Sequence, residues 1–216
     1  MANYDWTEYQ QRTWIDRFPE GVRGLDAWRQ QPFEEPPYEL LEERARTTKR
    51  LPKPCLFVSH RKQDVAEAKR IAYIACQEGF DYWLDILDPT LSLPPSIIHR
   101  SGPTARQSAA AVAAVVEMGL LNSSHVMAVI TPNTKGSQWL PYEYGRVKDP
   151  TPVTLQAACW INPSLLPSAI PEYLYLGVMT RSEAEIEVWL RSERDRYGLL
   201  GQPGFCHWNH AIPAPL

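Results

Sequence analysis

A carboxylate, Glu143, follows a short apolar run at a place where a side chain could do chemistry. The run 126–130 is rich in β-branched and apolar residues, and its length and boundaries predict a buried strand. Pro132 interrupts the chain after it, and Ser137 is a suitable N-cap for a helix. On that helix Trp139 and Glu143 stand four residues apart, so they share one face. A carboxylate and an aromatic ring are therefore expected just past the end of a strand.

Polar side chains also follow two earlier predicted strands. The apolar runs 55–58 and 80–84 predict these strands. The polar residues are Ser59, Arg61 and Asp64 after the first run and Asp85 after the second. In open α/β sheets ligands bind outside the carboxyl ends of the strands, so we expect these residues to line that edge with Glu143. Arg61 could bind a pyrophosphate, or it could pair with Asp64 in a local turn, and the sequence leaves both interpretations open.

Two tryptophans are further candidates for this edge. Trp83 could stack on a ring of a ligand, but it lies within a predicted strand, where a core position is favoured. Trp139 is expected to pack beneath Glu143 and orient it. Both are therefore candidate substrate-binding residues in supporting roles.

The elements that must position these residues alternate between strand and helix from residue 51 onward. The run 65–75 has helical spacing, and Gly79 is a natural residue to end that helix. A Pro-rich stretch, 86–103, separates it from a small-residue helix predicted over 104–118. Further strands are predicted at 157–161 and 173–179, and a last helix follows Ser182. Repeated βα units of this length predict an α/β fold, with a parallel sheet of about five strands and helices on both faces.

The two ends of the chain are set apart from this pattern. Residues 1–50 carry a loose helical stripe of aromatic residues broken by prolines, which predicts an N-terminal helical extension. That extension could be a partner-binding arm, but a lid of helices packed on the main domain is favoured. Residues 51–200 form the α/β domain, and 201–216 a solvated tail. Cys206, His207 and His210 are too few and too isolated to predict a metal site.

Composition limits the possible partners. The chain has 216 residues, a net charge of −3 and 44% hydrophobic residues, which is typical of a globular protein without an electrostatic affinity for nucleic acid or anionic membranes. No apolar run has the length of a membrane span, and no signal peptide opens the chain. The four scattered cysteines are expected to be thiols in a reducing cytoplasm. Walker A, GxGxxG and GxSxG motifs are missing, so phosphoryl transfer, hydride transfer and serine hydrolysis lack their usual signatures.

Three segments carry a resemblance to a known family. The turn 59–64 (SHRKQD) is similar to the S-x-R-x-x-D turn of the TIR domain family, and 79–85 (GFDYWLD) resembles that family's second strand. The segment 128–143, with its Ser137-Gln138-Trp139 and Tyr142-Glu143, is similar to the family's V-x-S-P…S-x-W-C-x-x-E pattern. The motifs occur in the family's order, and the resemblance covers about residues 53–190. Two departures are a longer, Pro-rich loop after Asp85 and Leu140 in place of the common cysteine.

The resemblance implies a flavodoxin-like three-layer fold and two alternative functions. Many TIR domains cleave NAD⁺ between nicotinamide and ribose to give ADP-ribose or a cyclic isomer, and the family's catalytic glutamate matches Glu143. NAD⁺ would be the substrate, with no separate cofactor, and the other residues of the predicted edge would bind it. Other members are non-catalytic adaptors that act through TIR–TIR contacts. A plain nucleotide-binding flavodoxin-like domain is a third, more distant reading.

The resemblance also implies a cellular setting. It places the protein in the cytoplasm, in bacterial defence or signalling. Self-association or a partner effector or sensor protein would accompany its activity, with no direct binding to nucleic acid or membrane.

Overall fold

A computed structural model describes residues 54–87, 112–113, 116–117, 119–120, 123–147, 156–196, 208 and 211–216. The predicted N-terminal extension therefore lies outside the described residues. So do most of the Pro-rich stretch 86–103, the start of the helix predicted from residue 104, and Cys206, His207 and His210.

The described residues form five strands and three complete helices, joined in part by short 3-10 turns. The strands are β1 (Cys55–Ser59), β2 (Asp81–Trp83), β3 (His125–Ile130), β4 (Ala157–Ile161) and β5 (Val178–Thr180). The helices are α1 (Val65–Gln77), α2 (Trp139–Arg146) and α3 (Glu183–Arg196). Residues 112–113, 116–117 and 119–120 are also helical, within the range predicted for the small-residue helix or just beyond it.

All five strands are parallel and lie in the order β2-β1-β3-β4-β5. The predicted five-stranded parallel sheet is thus confirmed, and the order is that of flavodoxin-like doubly wound folds. In this order the chain reverses its direction of travel across the sheet between β1 and β3. Crevices that bind ligands form at such a reversal, outside the carboxyl ends of the strands.

The sheet is covered on both faces, which confirms the three layers. Alternate residues of β1 point to opposite faces, as the pleat of a strand requires. Leu56 and Val58 join a core cluster with side chains of α1 and α3. Cys55 and Phe57 join a second cluster with side chains of α2 and of the helical residues 116–120. β1 and β3 are buried along their whole length, and the loops that carry the site follow directly after them.

The fifth strand differs from its prediction. The apolar run from residue 173 forms a 3-10 helix, Glu172–Leu176, and the strand begins only at Val178. The 3-10 helix places Leu174 in the core, where its carbonyl accepts a hydrogen bond from Tyr144 Oη at 3.2 Å. Tertiary packing has overridden the strand pattern there. The last helix follows its prediction, with Ile186, Trp189 and Leu190 buried.

The described part of the C-terminal tail contacts the domain at a few points, although most of residues 211–216 are exposed. Trp208 contacts the rings of Tyr73 and Tyr82, with centroid distances of 5.5 and 5.2 Å. The Leu216 N–H donates to Glu183 Oε1 at 2.7 Å. These aromatic and backbone groups find partners on α1, β2 and α3, while five of the six residues 211–216 are exposed, so the solvated tail stays a prediction.

The cysteines follow their prediction only in part. Cys55 and Cys159 are buried free thiols, but the equally buried Cys76 is disulfide-bonded. The expectation of thiols throughout is wrong for Cys76, because apolar neighbours in sequence do not distinguish a packed thiol from a packed disulfide. Among the described residues, no helix combines the length and the apolar character needed to cross a membrane.

Candidate functional site

Glu143 lies in α2, the helix that follows β3. Leu140 and Tyr144 turn the same side of this helix into the core, so Glu143 is drawn into the protein with them and is only 9% exposed. The N-cap of the helix is Gln138, one residue after the predicted Ser137, whose Oγ accepts a hydrogen bond from the Leu140 N–H at 3.3 Å. The predicted strand, loop and helix thus deliver a carboxylate to a buried position near the carboxyl edge of the sheet.

Ser59, the last residue of β1, holds this carboxylate. Its hydroxyl donates a short hydrogen bond to Glu143 Oε2, and Ser59 is itself 1% exposed. The bond links β1 directly to α2, the helix that follows the neighbouring strand β3. Glu143 is therefore fixed at the point where the strand order reverses.

The charge on Glu143 is strongly disfavoured by its surroundings. Burial raises the pKa of Glu143 from 4.5 to about 7, the hydrogen bond from Ser59 opposes that rise, and the negative charge of Asp85 adds to it. Near neutral pH the side chain therefore passes between its acid and its carboxylate forms. A perturbed carboxyl group of this kind is typical of a functional site.

Asp85 reaches the same site from the end of β2. It begins a 3-10 turn, and its Oδ1 accepts a hydrogen bond from the Ile86 N–H at 2.7 Å. Its side chain is 44% exposed, so it forms the outer rim where Glu143 forms the interior. This position agrees with its prediction as a residue of the site's edge.

His60 is a residue of this cluster that the sequence did not single out. Its Nε2 lies 3.3 Å from Asp85 Oδ1, and its Nδ1 lies 3.0 Å from the carbonyl oxygen of Val58. The His60 side chain is only 2% exposed. The available signal was its position directly after Ser59, but no other histidine or acidic residue lies beside it in sequence.

Asp64 stabilises a loop. It is 2% exposed and accepts hydrogen bonds from Thr131 Oγ1 at 2.9 Å and Asn133 Nδ2 at 2.7 Å. These bonds attach the start of α1 to the loop after β3. Arg61, which precedes the turn, is half-buried and has no ion-pair partner among the described residues. The side chains of Arg61 and Asp64 therefore do not form an ion pair, although the Asp64 N–H donates to the Arg61 carbonyl oxygen at 2.8 Å.

The two tryptophans lie in different surroundings, one in the core and one at the surface. Trp83 is 2% exposed and stacks on Phe57, with a centroid distance of 4.5 Å, so its ring belongs to the core and is closed to a ligand. Trp139 is 42% exposed and meets Tyr142 edge to face, at a centroid distance of 5.9 Å. Its side chain is partly exposed to solvent, and the hydrogen bond that orients Glu143 comes from Ser59 instead. The ring of Trp139, on the same helix as Glu143, is therefore accessible to a ligand, and the ring of Trp83 is not.

Ser59, His60, Asp85 and Glu143 are thus brought together, with Arg61 next to them in the chain. They combine an ionisable carboxyl group in apolar surroundings with a hydroxyl donor, a rim carboxylate and an imidazole. The carboxyl group of Glu143 can stabilise a developing cation or accept a proton at neutral pH. No group of three or more possible metal ligands occurs in the described part of the chain.

A separate groove lies between the edge strand β5 and α3. Its lining includes Val178, Met179, Ala184, Val188, Trp189 and Arg196. Met179 is 41% and Val188 63% exposed, so the groove presents apolar side chains to solvent. None of the residues of the Glu143 site lines it.

No family model, curated protein or solved structure is significantly similar to this chain. The chemistry of the site and the sequence motifs that supply its residues are therefore the basis for its function. The Glu143 site combines burial, a fixed hydrogen bond and a perturbed pKa, so it is the candidate active site.

Proposed function

We propose that the protein is an NAD⁺ glycohydrolase or cyclase of the TIR type, with Glu143 as its catalytic residue. The observation that carries the proposal is the buried, Ser59-bonded carboxyl group of Glu143 at the point where the strand order reverses. The products would be nicotinamide and either ADP-ribose or a cyclic isomer of it. The resemblance of three motifs to the TIR family suggests this chemistry over other uses of a single carboxylate.

One carboxylate suffices for this reaction. Nicotinamide leaves NAD⁺ as a neutral pyridine, so no general acid is needed, in contrast to ordinary glycosidases. Positive charge develops on C1′ and the ring oxygen of the ribose as the bond breaks. A carboxylate fixed in apolar surroundings stabilises that charge strongly, because little solvent reorganises around it. Having a pKa near 7, Glu143 is also suited to accept the proton of the water that attacks C1′.

The neighbouring residues fit supporting roles. Ser59 holds one carboxylate oxygen and leaves the other for the substrate. The positive charge of the nicotinamide ring would favour ionisation of Glu143, so substrate binding itself would charge the catalytic group. Arg61, without an ion-pair partner in the described part of the chain, is free to bind the pyrophosphate. Trp139 presents an exposed ring on the same helix for stacking.

The direct test is incubation of the purified protein with NAD⁺, with nicotinamide release followed by chromatography. Glu143→Gln keeps the size of the side chain and an oxygen that can accept from Ser59, but it removes the charge. We expect it to lower the rate at least about 100-fold, as for other single electrostatic groups. Glu172→Gln, at an exposed position, is the matched control and should retain wild-type activity. Full turnover by Glu143→Gln would refute the mechanism.

A non-catalytic adaptor is the second candidate, and the groove between β5 and α3 favours it. Exposed apolar side chains in and near that groove, such as Tyr175, Leu176, Met179 and Val188, are suited to contact another protein. An adaptor would release no nicotinamide at any protein concentration, and Val188→Glu would abolish its association with partners while Glu143→Gln would not.

The cellular setting in this proposal is the cytoplasm, where NAD⁺ is present, in defence or signalling. A partner effector or sensor, or a second copy of the chain, would then control when NAD⁺ is consumed. Measuring NAD⁺ in cells that express wild type or Glu143→Gln tests this setting: only the wild type should deplete it.

A further inference from the structure

His60 has two acceptors on opposite sides of its ring. The carbonyl oxygen of Val58 lies 3.0 Å from Nδ1, and Oδ1 of Asp85 lies 3.3 Å from Nε2. A carbonyl oxygen can only accept, so Nδ1 carries a proton. A neutral ring would then direct the bare lone pair of Nε2 toward a carboxylate. A proton on Nε2 as well gives an imidazolium, which Asp85 attracts.

The ring has little alternative to this arrangement. Its side chain is 2% exposed, so water does not compensate for a mismatched nitrogen. Among the described residues, Nε2 has no aligned hydrogen-bond partner, and its contact with Asp85 is one of charge at ion-pair distance. Coulomb attraction does not require alignment, so the pair holds without a directed hydrogen bond.

Asp85 is the member of this pair whose charge bears on Glu143. In the described part of the chain, the side chains that influence the charge of Glu143 are Ser59 of β1 and Asp85 of the turn after β2. Ser59 favours the carboxylate form by donating to it, and Asp85 opposes that form by its like charge. An imidazolium beside Asp85 offsets this repulsion.

We propose that His60 is a positioning residue: as an imidazolium it holds and neutralises Asp85, and so allows the neighbouring Glu143 to carry its negative charge. The inference rests on the proposed function only in so far as catalysis needs a charged Glu143. The electrostatic coupling of the three side chains exists whether or not NAD⁺ is the substrate. His60 itself does not need to touch the substrate.

The test is a cycle of variants read by NMR. The side-chain carboxyl ¹³C resonance of Glu143, assigned by its loss in Glu143→Gln, is titrated from acid to alkaline pH. His60→Gln removes the cation and should move the midpoint to higher pH by about one pH unit, because Asp85 then repels Glu143 without compensation. Asp85→Asn should move it to lower pH. In the Asp85→Asn background, His60→Gln should change the midpoint by less than about 0.3 pH unit, since the coupling passes through Asp85.

Two results would overturn the inference. The first is a midpoint that does not respond to His60→Gln, or that responds equally with and without the charge of Asp85. The second needs no variant: the ¹⁵N shifts of the His60 ring, followed over the pH range in which Glu143 titrates, should report both nitrogens protonated. A ring protonated only at Nδ1 throughout that range would contradict the proposal even if His60→Gln failed to fold.

The same variants separate this inference from the proposed function. If they move the Glu143 midpoint as expected but no protein releases nicotinamide, the coupling stands and the enzymatic proposal is wrong. If the wild type releases nicotinamide while the midpoint ignores His60, the enzymatic proposal stands and the role of His60 is wrong. When both hold, the acid limb of kcat/KM should follow the NMR midpoint in each variant.

Discussion

Glu143→Gln should stabilise the folded protein at alkaline pH while it removes activity. In the folded protein burial raises the pKa of Glu143 to about 7, whereas its ordinary value is 4.5. Between these two values the folded state binds more protons than the unfolded state, so stability falls as the pH rises through this range. Above pH 7 the full cost of burying the charge is present. Glutamine never carries that charge, so the variant avoids the cost.

The size of the effect follows from the same two values. They differ by about 2.5 pH units, and each unit corresponds to 1.36 kcal/mol, so the free energy of unfolding should rise by roughly 3 kcal/mol in Glu143→Gln at pH 8. At pH 4.5 the wild-type side chain is mostly neutral in the folded state, and the gain should shrink to a few tenths of a kcal/mol. A glutamine oxygen can still accept the hydrogen bond from Ser59, and the preference of that bond for the charged form is already contained in the raised pKa of Glu143.

Urea unfolding at pH 4.5 and pH 8, followed by circular dichroism, measures both free energies. Glu172→Gln serves as the control, since Glu172 is exposed and its replacement should change stability little at either pH. A gain in Glu143→Gln of the same size at both pH values would point to packing instead of charge. A loss of stability at pH 8 would refute the assignment of Glu143 as a buried, charge-disfavoured group.

Three further outcomes are expected. Asp64→Ala should lower the free energy of unfolding by roughly 2 kcal/mol in urea unfolding, because the buried hydroxyl of Thr131 loses its acceptor; an unchanged value would contradict this. Gly177→Ala should lower the free energy of unfolding by roughly 2–3 kcal/mol, because a Cβ there would collide with Tyr144 and the backbone. Gly145→Ala, in open space on α2, should be neutral or stabilising by up to ~1 kcal/mol. Equal effects of the two substitutions would refute the packing argument. If the Pro-rich loop 86–103 completes the site only in an assembly, specific activity should rise with protein concentration, and a flat profile from a monomer by light scattering would exclude that.

The parts of the fold that the sequence predicted are those set by local patterns. β1 and β3 are short runs of apolar residues bounded by polar or turn-forming ones, and their buried positions leave little choice of structure. Glu143 was found by the same logic, because strand, loop and helix follow one another within one stretch of chain. Gly79 fulfils its predicted helix-end role with a φ of 88°, whereas the helix predicted to begin at Ser137 has its N-cap one residue later, at Gln138.

The features that the sequence did not predict depend on contacts between distant segments. Nothing near Asp64 in sequence indicates that its partners would be Thr131 and Asn133 of another loop. His60 became a candidate only once β2 lay beside β1 and brought Asp85 to it. The 3-10 helix ahead of β5 likewise replaces a strand pattern because Leu174 finds its place in the core.

The sequence also does not show toward which face of the sheet a strand residue points. Trp83 could be placed in a strand from sequence, but its role depends on pairing with Phe57 across the β1–β2 register, which puts both rings on one face of the sheet. Stacked there beneath the helical residues 116–120, the ring belongs to the core. Without the register, a core and a ligand position were both compatible with the pattern.

The pH dependence of nicotinamide release by the wild-type protein tests the central claim most directly. The parameter kcat/KM reports the ionisations of the free enzyme, so it should fall on the acid side of about pH 7, the pKa to which burial raises Glu143, and approach a tenfold loss for each pH unit below it. A profile that stays flat down to pH 5, or nicotinamide release that persists in Glu143→Gln, would contradict the claim that a buried, ionising Glu143 performs the reaction.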